Sequence, residues 1–276
     1  MIDMIVLYAL HPTYEKMTLP NMSSLDDITQ QLPQGLYTTF RTYENKTRVI
    51  GLMAHLNRLY NPAGTLISID QVRLRSQIRE VLAGYSENEV RIRIHVATIG
   101  QPGDVYLYME PLKIPDESVY AVGVHVNLAK IHRNTPKLKT TSFIKNSQEQ
   151  RLMLNEKGYY ETLMVKNGQI LEGMTSNFYG VKHGKIFTAR QGILLGITRR
   201  CILQLARKER ILLQYDPIRI DELEFLDEAF ITSSGRGVVP VSSIENRQVG
   251  DGKVGNIAKL LRNRYDSYVI KKSELI

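Results

Sequence analysis

Residues 159–181, YYETLMVKNGQILEGMTSNFYGV, constrain the fold more than any other stretch of the chain. Two strand-like runs flank Asn167–Gly168, a dipeptide at ease in the positive-φ backbone of a tight hairpin turn. The run TSNFYGV then returns to strand character. Antiparallel sheet is therefore expected here, with Tyr159–Leu171 folded on itself and Asn177–Val181 following. Glu172 stands between these strands beside Gly173, with Thr175, Ser176 and Asn177 close by. It reads in two ways: as an exposed edge residue, as most Glu are, or as a carboxylate held for chemistry.

Helix and strand signals alternate along the 276 residues without repeats or low-complexity tracts. Strand-like Ile5–Ala9 leads to Gly35–Tyr43 and, past the ENK turn, to Thr47–Gly51; Leu52–Leu59 then has helical spacing. Ser68–Tyr85 opens with the capping-type residues Ser68 and Asp70. It carries Val72, Leu74, Ile78, Val81 and Leu82 on a stripe fit to pack on a sheet. Further strands are predicted at Glu89–Thr98, Asp104–Glu110, Tyr120–Leu128 and Lys185–Thr188, and helices at Asn146–Lys157, Thr198–Arg210 and Gly252–Lys271. Pro111–Ser118, with two prolines and no periodicity, reads as a linker. The division this suggests is a small N-terminal domain over 1–117 and a larger one over 118–276, with a small-molecule site at their junction. A chain of this length can bury roughly 75% of its unfolded surface.

Charge and cysteine usage narrow the class. The net charge is +8, yet Lys and Arg are scattered, with no aromatic–basic interleaving, so nucleic acid is not expected as a partner. The six histidines include no pair at i+3 or i+4 and have no cysteine near them, so no metal site is expected. Cys201 is the single cysteine, which argues for a reducing, cytoplasmic setting. The start MIDMIVLYAL is apolar but short, contains Asp3 and lacks a basic residue, unlike a secretory leader. No segment approaches the ~20 apolar residues that span a bilayer.

Three more motifs join Glu172. In GILLGITR, 192–199, Gly196 permits close backbone approach and Thr198 opens an amphipathic helix, whose free amides would suit a phosphate. In HLNR, 55–58, His55 and Arg58 share a helix face. In LKTTSFIKN, 138–146, Lys139 ends a strand-like run. Each alone is also what a capped helix or a solvated basic face would give. Together, a carboxylate, a helix N-terminus, an arginine and a lysine on a rigid element match what pyridoxal phosphate needs.

The sequence resembles the class IV aminotransferases, the fold-type-IV pyridoxal-phosphate enzymes that include branched-chain and D-amino-acid aminotransferases and aminodeoxychorismate lyase. The likeness runs through GLYTTFRTYENK (35–46), HLNRL (55–59), VRIRI (90–94), LKTTSFI (138–144), EGMTSNFYGVKHGKIFT (172–188), GILLGITR (192–199), DEAFITSSGRGVVPV (227–241) and GDGKVG (250–255). It implies an α/β (α+β) fold: a small N-terminal α/β domain and a larger C-terminal domain with a mainly antiparallel sheet or barrel. It also implies bound pyridoxal 5'-phosphate, an amino acid and a 2-oxo acid as substrates, and a homodimer.

Residue by residue, Lys139 is similar to the family's Schiff-base lysine and Glu172 to the partner of the pyridine nitrogen. Asn177 neighbours that carboxylate. Arg58, Ile197, Thr198 and Ser234 fall where the phosphate is held, and Leu194 where an apolar residue packs on the ring. Tyr37 resembles the aromatic lining the substrate side, Arg93 falls at a strand arginine near the substrate, and Arg236 lies in the glycine-flanked SGRG loop. Arg91 and Arg93, two apart on a strand, share a face; guanidinium groups on such a face suit a carboxylate. There are departures: Phe143 replaces a tyrosine of the branched-chain enzymes, the entry motif lacks its usual acidic residue, and no Arg-x-His loop is evident in ATIGQPGDVY. The TSSGRGVVPV block is close to that of lyase-like members, so no single subgroup is satisfied; the expected activity is transamination, and pyruvate release from aminodeoxychorismate is the alternative.

Overall fold

The computed structural model describes residues 5–276. Met1–Met4, part of the apolar start, lie outside the described residues. The chain forms two compact units, one of residues up to Lys113 with Leu138–Asn146 and Lys272–Ile276, the other of Ile114–Lys137 and Ser147–Lys271.

The first unit is built on an antiparallel sheet ordered Glu15–Met17, Val6–His11, Val105–Pro111, Val90–Ala97, Gly35–Arg41. Period-two alternation assigns its two faces. Val6, Leu10, Ile92, Ile94 and Val96 enter one core with the helices Leu52–Ala63 and Gln71–Ala83. Leu7, Ala9, Ala97, Tyr106 and Tyr108 enter another with the helix Leu25–Gln31. The predicted stripe Leu74, Ile78, Val81 and Leu82 is buried, and Asp70 caps that helix by accepting the Val72 and Arg73 amides at 2.9 Å; Val72 is exposed instead. The seven-residue helix Leu25–Gln31 was not among the predicted elements. Ser24 caps it, accepting the Asp27 N–H at 3.1 Å.

In the second unit six strands close into a ring. In order they are Asn177–Lys182, Glu228–Ser233, Gly237–Ile244, Val124–Ala129, Glu161–Lys166 and Gln169–Gly173, which returns to Asn177–Lys182. Four of the six junctions are antiparallel, and Val124–Ala129 runs parallel to both its neighbours. The Asn167–Gly168 turn lies where the sequence places it, with φ of 52° and 73°. Apolar residues facing inward, among them Val126, Leu163, Phe178, Ile231 and Val239, make the core. The ring closes on one register pair, Asn177 opposite Glu172.

Two expectations need correction. Tyr120–Leu128 is not one strand: Glu117–Val122 is helical, Gly123 turns with φ 83°, and the strand is Val124–Ala129. The valines at 119 and 122 gave the helix a strand-like composition. The helix expected over Asn146–Lys157 is two, Thr141–Asn146 and Gln148–Lys157, parted at the buried Ser147. Strands Glu228–Ser233 and Gly237–Ile244 were also not predicted. Pro240 argues against a central strand, but pairing with Val124–Ala129 begins only at Val241, so its missing N–H interrupts no bond on that side.

The last long helix, Asn256–Lys272, starts on a side chain from the ring. Glu228 accepts the Ile257 N–H at 3.0 Å and the Ala258 N–H at 2.9 Å. Gly255 leaves room for it, since a Cβ there would come within 1.9 Å of the Glu228 carboxyl carbon. A carboxylate on a helix N-terminus satisfies orphan amides and opposes the helix dipole. Glu228→Ala is therefore expected to lower stability by about 1–2 kcal/mol in urea unfolding, with Glu228→Gln intermediate; equal midpoints for all three proteins would contradict this.

Candidate active site

In the first unit, Lys139 is fixed through its backbone. The segment Lys139–Thr141 runs beside the entry of strand Gly35–Arg41: the Lys139 carbonyl accepts the Tyr37 N–H at 2.9 Å, Thr140 bridges Leu36, and the Thr141 hydroxyl accepts the Gly35 N–H at 2.9 Å. Only glycine fits at 35, because a Cβ would lie 1.9 Å from the Val96 carbonyl oxygen. The Lys139 Nζ rests 4.7 Å from the Tyr37 ring centroid, where the face of an aromatic ring attracts a cation. His55 anchors the helix carrying Arg58: its Nδ1 is 2.6 Å from the Thr38 hydroxyl and its ring packs on Phe40. His55 is buried and Arg58, one turn on, half-buried.

Arg93 is buried and richly bonded. It donates from Nη1 to Asp26 at 2.8 Å, to the Leu25 carbonyl at 3.0 Å and to the Thr29 hydroxyl at 2.6 Å, and from Nε to Thr39 at 3.1 Å. Its guanidinium also stacks 4.7 Å from the Tyr37 centroid. His95, on the same face, is lowered to about 3 by burial and then by the charge of Arg93, so it is neutral. Arg91 pairs with Glu110 at 2.7 Å.

In the second unit, Glu172 is 2% exposed, so the edge-residue reading fails. Its Oε1 accepts Arg133 Nε and the Leu194 N–H, both at 3.0 Å, and its Oε2 accepts the Asn177 amide at 3.2 Å. Asn177 also donates to the Leu194 carbonyl at 2.8 Å, tying the GILLG turn to the barrel seam. The helix Ile197–Lys208 begins at Gly196 with no side-chain cap. A Cβ at Gly196 would meet the Asn177 Oδ1 at 2.2 Å. The buried Thr198 hydroxyl approaches Ser234 at 3.5 Å, bringing hydroxyls from two segments to one helix end. Arg236 is bonded to Glu161 at 3.1 Å and to Thr175 at 2.6 Å.

Sequence reasoning missed Arg133, Glu161 and Asp26, the charge partners of Glu172, Arg236 and Arg93. One signal could have found the first: a carboxylate held inside a barrel needs a cation, and Arg133 precedes Lys139 in IHRNTPKLK.

Residues 35–244 match the family model described as amino-transferase class IV. A probable branched-chain-amino-acid aminotransferase of Thermotoga maritima is 28% identical over 251 residues, covering 89% of this chain and 90% of that protein. A D-alanine aminotransferase of Bacillus licheniformis is 24% identical over 264 residues, covering 90% and 92%. The crystal structure of the branched-chain aminotransferase from the archaeon Thermoproteus uzoniensis with norvaline matches with a TM-score of 0.77 at 20% identity, covering 97% and 95%, a likeness of fold. The family match spans both the Lys139 segment and the Glu172 turn, and the chain belongs to the class IV aminotransferase family.

Proposed function

We propose that the chain uses pyridoxal 5'-phosphate to move an amino group between an amino acid, branched-chain or similar, and a 2-oxo acid such as 2-oxoglutarate or pyruvate. The observation that carries this reading is the buried Glu172 carboxylate, paired with Arg133 and aimed by the Leu194 N–H and the Asn177 amide. Such a group suits a protonated pyridine nitrogen. The uncapped helix start at Ile197 and Thr198, with the Ser234 hydroxyl, is a donor set that suits a phosphate ester. The residues therefore fit the cofactor, which when bound supplies an electron sink for the carbanion left by loss of the substrate's α-hydrogen.

In this reading Lys139 would hold the cofactor through its Nζ and would serve as the base that takes up the substrate's α-proton. Arg58 would offset the phosphate charge, and Leu194 would supply an apolar contact to the cofactor. Tyr37 lines the substrate side; Arg93, committed to Asp26, supports it from beneath the Tyr37 ring, and Arg236 borders it with Glu161 as its counter-ion. A cytoplasmic homodimer belongs to the same reading, in keeping with the lone Cys201.

Pyruvate release from aminodeoxychorismate would begin from the same lysine chemistry. The aminotransferase names of the relatives favour transamination. A panel of L- and D-amino acids with 2-oxoglutarate and pyruvate, run beside aminodeoxychorismate, tests this. Amino transfer to at least one acceptor is expected; turnover of aminodeoxychorismate alone would replace the reading with the lyase.

A further inference from the structure

We propose that Glu161 is a positioning residue that sets substrate class: it engages Arg236 internally, so the site favours amino and 2-oxo acids that carry no second carboxylate. The inference rests on the aminotransferase reading above.

Glu161 opens the strand Glu161–Lys166 and is 1% exposed. A carboxylate so placed must be paired and hydrogen-bonded. Its Oε1 accepts the Thr162 N–H at 3.1 Å, and its Oε2 accepts the Thr175 hydroxyl at 2.5 Å, the Ser176 hydroxyl at 3.1 Å and Arg236 Nη2 at 3.1 Å. The backbone folds tightly over this group: a Cβ on Gly173 would stand 2.2 Å from the Ser176 hydroxyl and 3.0 Å from Glu161 Cγ.

The other side of the contact is equally committed. Arg236 Nη2 also donates to Thr175 at 2.6 Å and Nε to Ser233 at 3.2 Å, and the guanidinium lies 5.1 Å from the Tyr160 ring centroid. Both Nη2 hydrogens and the Nε hydrogen are therefore spent. Arg236 is 22% exposed at its side chain. A carboxylate arriving there meets a guanidinium whose charge Glu161 already balances, and the two-atom grip that makes arginine selective is already taken.

The cluster also borders the chemistry. Thr175 and Ser176 lie between Glu172 and Asn177, and Ser233 and Arg236 flank Ser234, the residue beside Thr198. Glu161 thereby clasps the Glu172 turn to the Ser234 turn without touching either functional side chain.

The test compares wild type, Glu161→Gln and Glu161→Gln with Arg236→Met, each as the full chain loaded with pyridoxal phosphate. Dissociation constants for 2-oxoglutarate and pyruvate are measured by calorimetry. Wild type is expected to bind pyruvate at least as well, and Glu161→Gln to shift the ratio toward 2-oxoglutarate by about tenfold or more, the scale of one charged hydrogen bond. The double variant, which removes both charges and so folds without an unpaired ion, should return the wild-type ratio. An unshifted ratio in Glu161→Gln, or selective loss of 2-oxoglutarate in the double variant relative to wild type, would overturn the proposal.

Hydrogen exchange on the cofactor-free chain supplies a second readout. Peptides over 174–177 and 233–238 should exchange about tenfold faster in Glu161→Gln, an opening cost of the same order, and unchanged exchange would sink the clasp. Failure of wild type to transfer an amino group to either acceptor, with exchange responding as expected, would instead defeat the aminotransferase reading and the specificity role with it.

Discussion

Lys139→Ala is expected to abolish the yellow absorbance band that the wild-type chain acquires with pyridoxal phosphate and to cut multiple turnover by about 10³-fold or more, since one side chain serves as both carrier and base. Lys137 and Lys145, the nearby rivals, are exposed, whereas Lys139 is half-buried with its carbonyl on the Tyr37 N–H and its Nζ against the Tyr37 ring. Borohydride reduction followed by peptide mass mapping decides among them. The increment should sit on 139 in wild type and vanish in the variant. Retention of a reducible linkage and normal turnover by Lys139→Ala would transfer the role to another lysine.

Glu172→Gln is expected to lose rate more than cofactor affinity and, separately, to lose stability. The amide keeps the size of the side chain but removes the charge that favours a protonated pyridine nitrogen. It also removes the charge that faces the Arg133 guanidinium, 4% exposed, at 3.0 Å. Breaking a buried ion pair from one side costs about 3–5 kcal/mol. The two losses can be separated. Adding Arg133→Met should restore most of the melting temperature, because an apolar replacement of both charges is close to neutral, while α-proton abstraction stays slow. Wild-type proton abstraction in a folded Glu172→Gln protein would show that the pyridine partner lies elsewhere.

The legible parts of this chain were those whose signal is local. Asn167–Gly168 announced its hairpin, Asp70 its helix, and the alternation of VRIRIHVA both faces of its strand. The resemblance brought Lys139 and Glu172 together as functional candidates although they stand far apart in sequence. Long-range charge matching was illegible. Arg93 read as an arginine near the substrate and Arg236 as one in a glycine-flanked loop, but Asp26 and Glu161, their partners, lie 67 and 75 positions away. Nothing in a strand arginine reveals which loop will bring it a carboxylate. The helix Leu25–Gln31 was overlooked because seven residues give too few turns for a periodic pattern, and the strand Gly237–Ile244 because Pro240 masks it.

Among the described residues the six-stranded ring closes on one register pair, Glu172 opposite Asn177, beside the Gly173 N–H that the Ser176 carbonyl accepts at 2.9 Å. A cylinder with one thin seam can part there far more cheaply than it can unfold. What parts is a short stretch, because beyond it Lys185–Phe187 pairs with Asn177–Lys182 and the backbone at Ile218–Ile220 lies along Gln169–Gly173. The side chains that would tune the cofactor therefore also keep a sheet from being open. Substitutions that loosen this turn to admit new substrates draw on the stability of the whole ring.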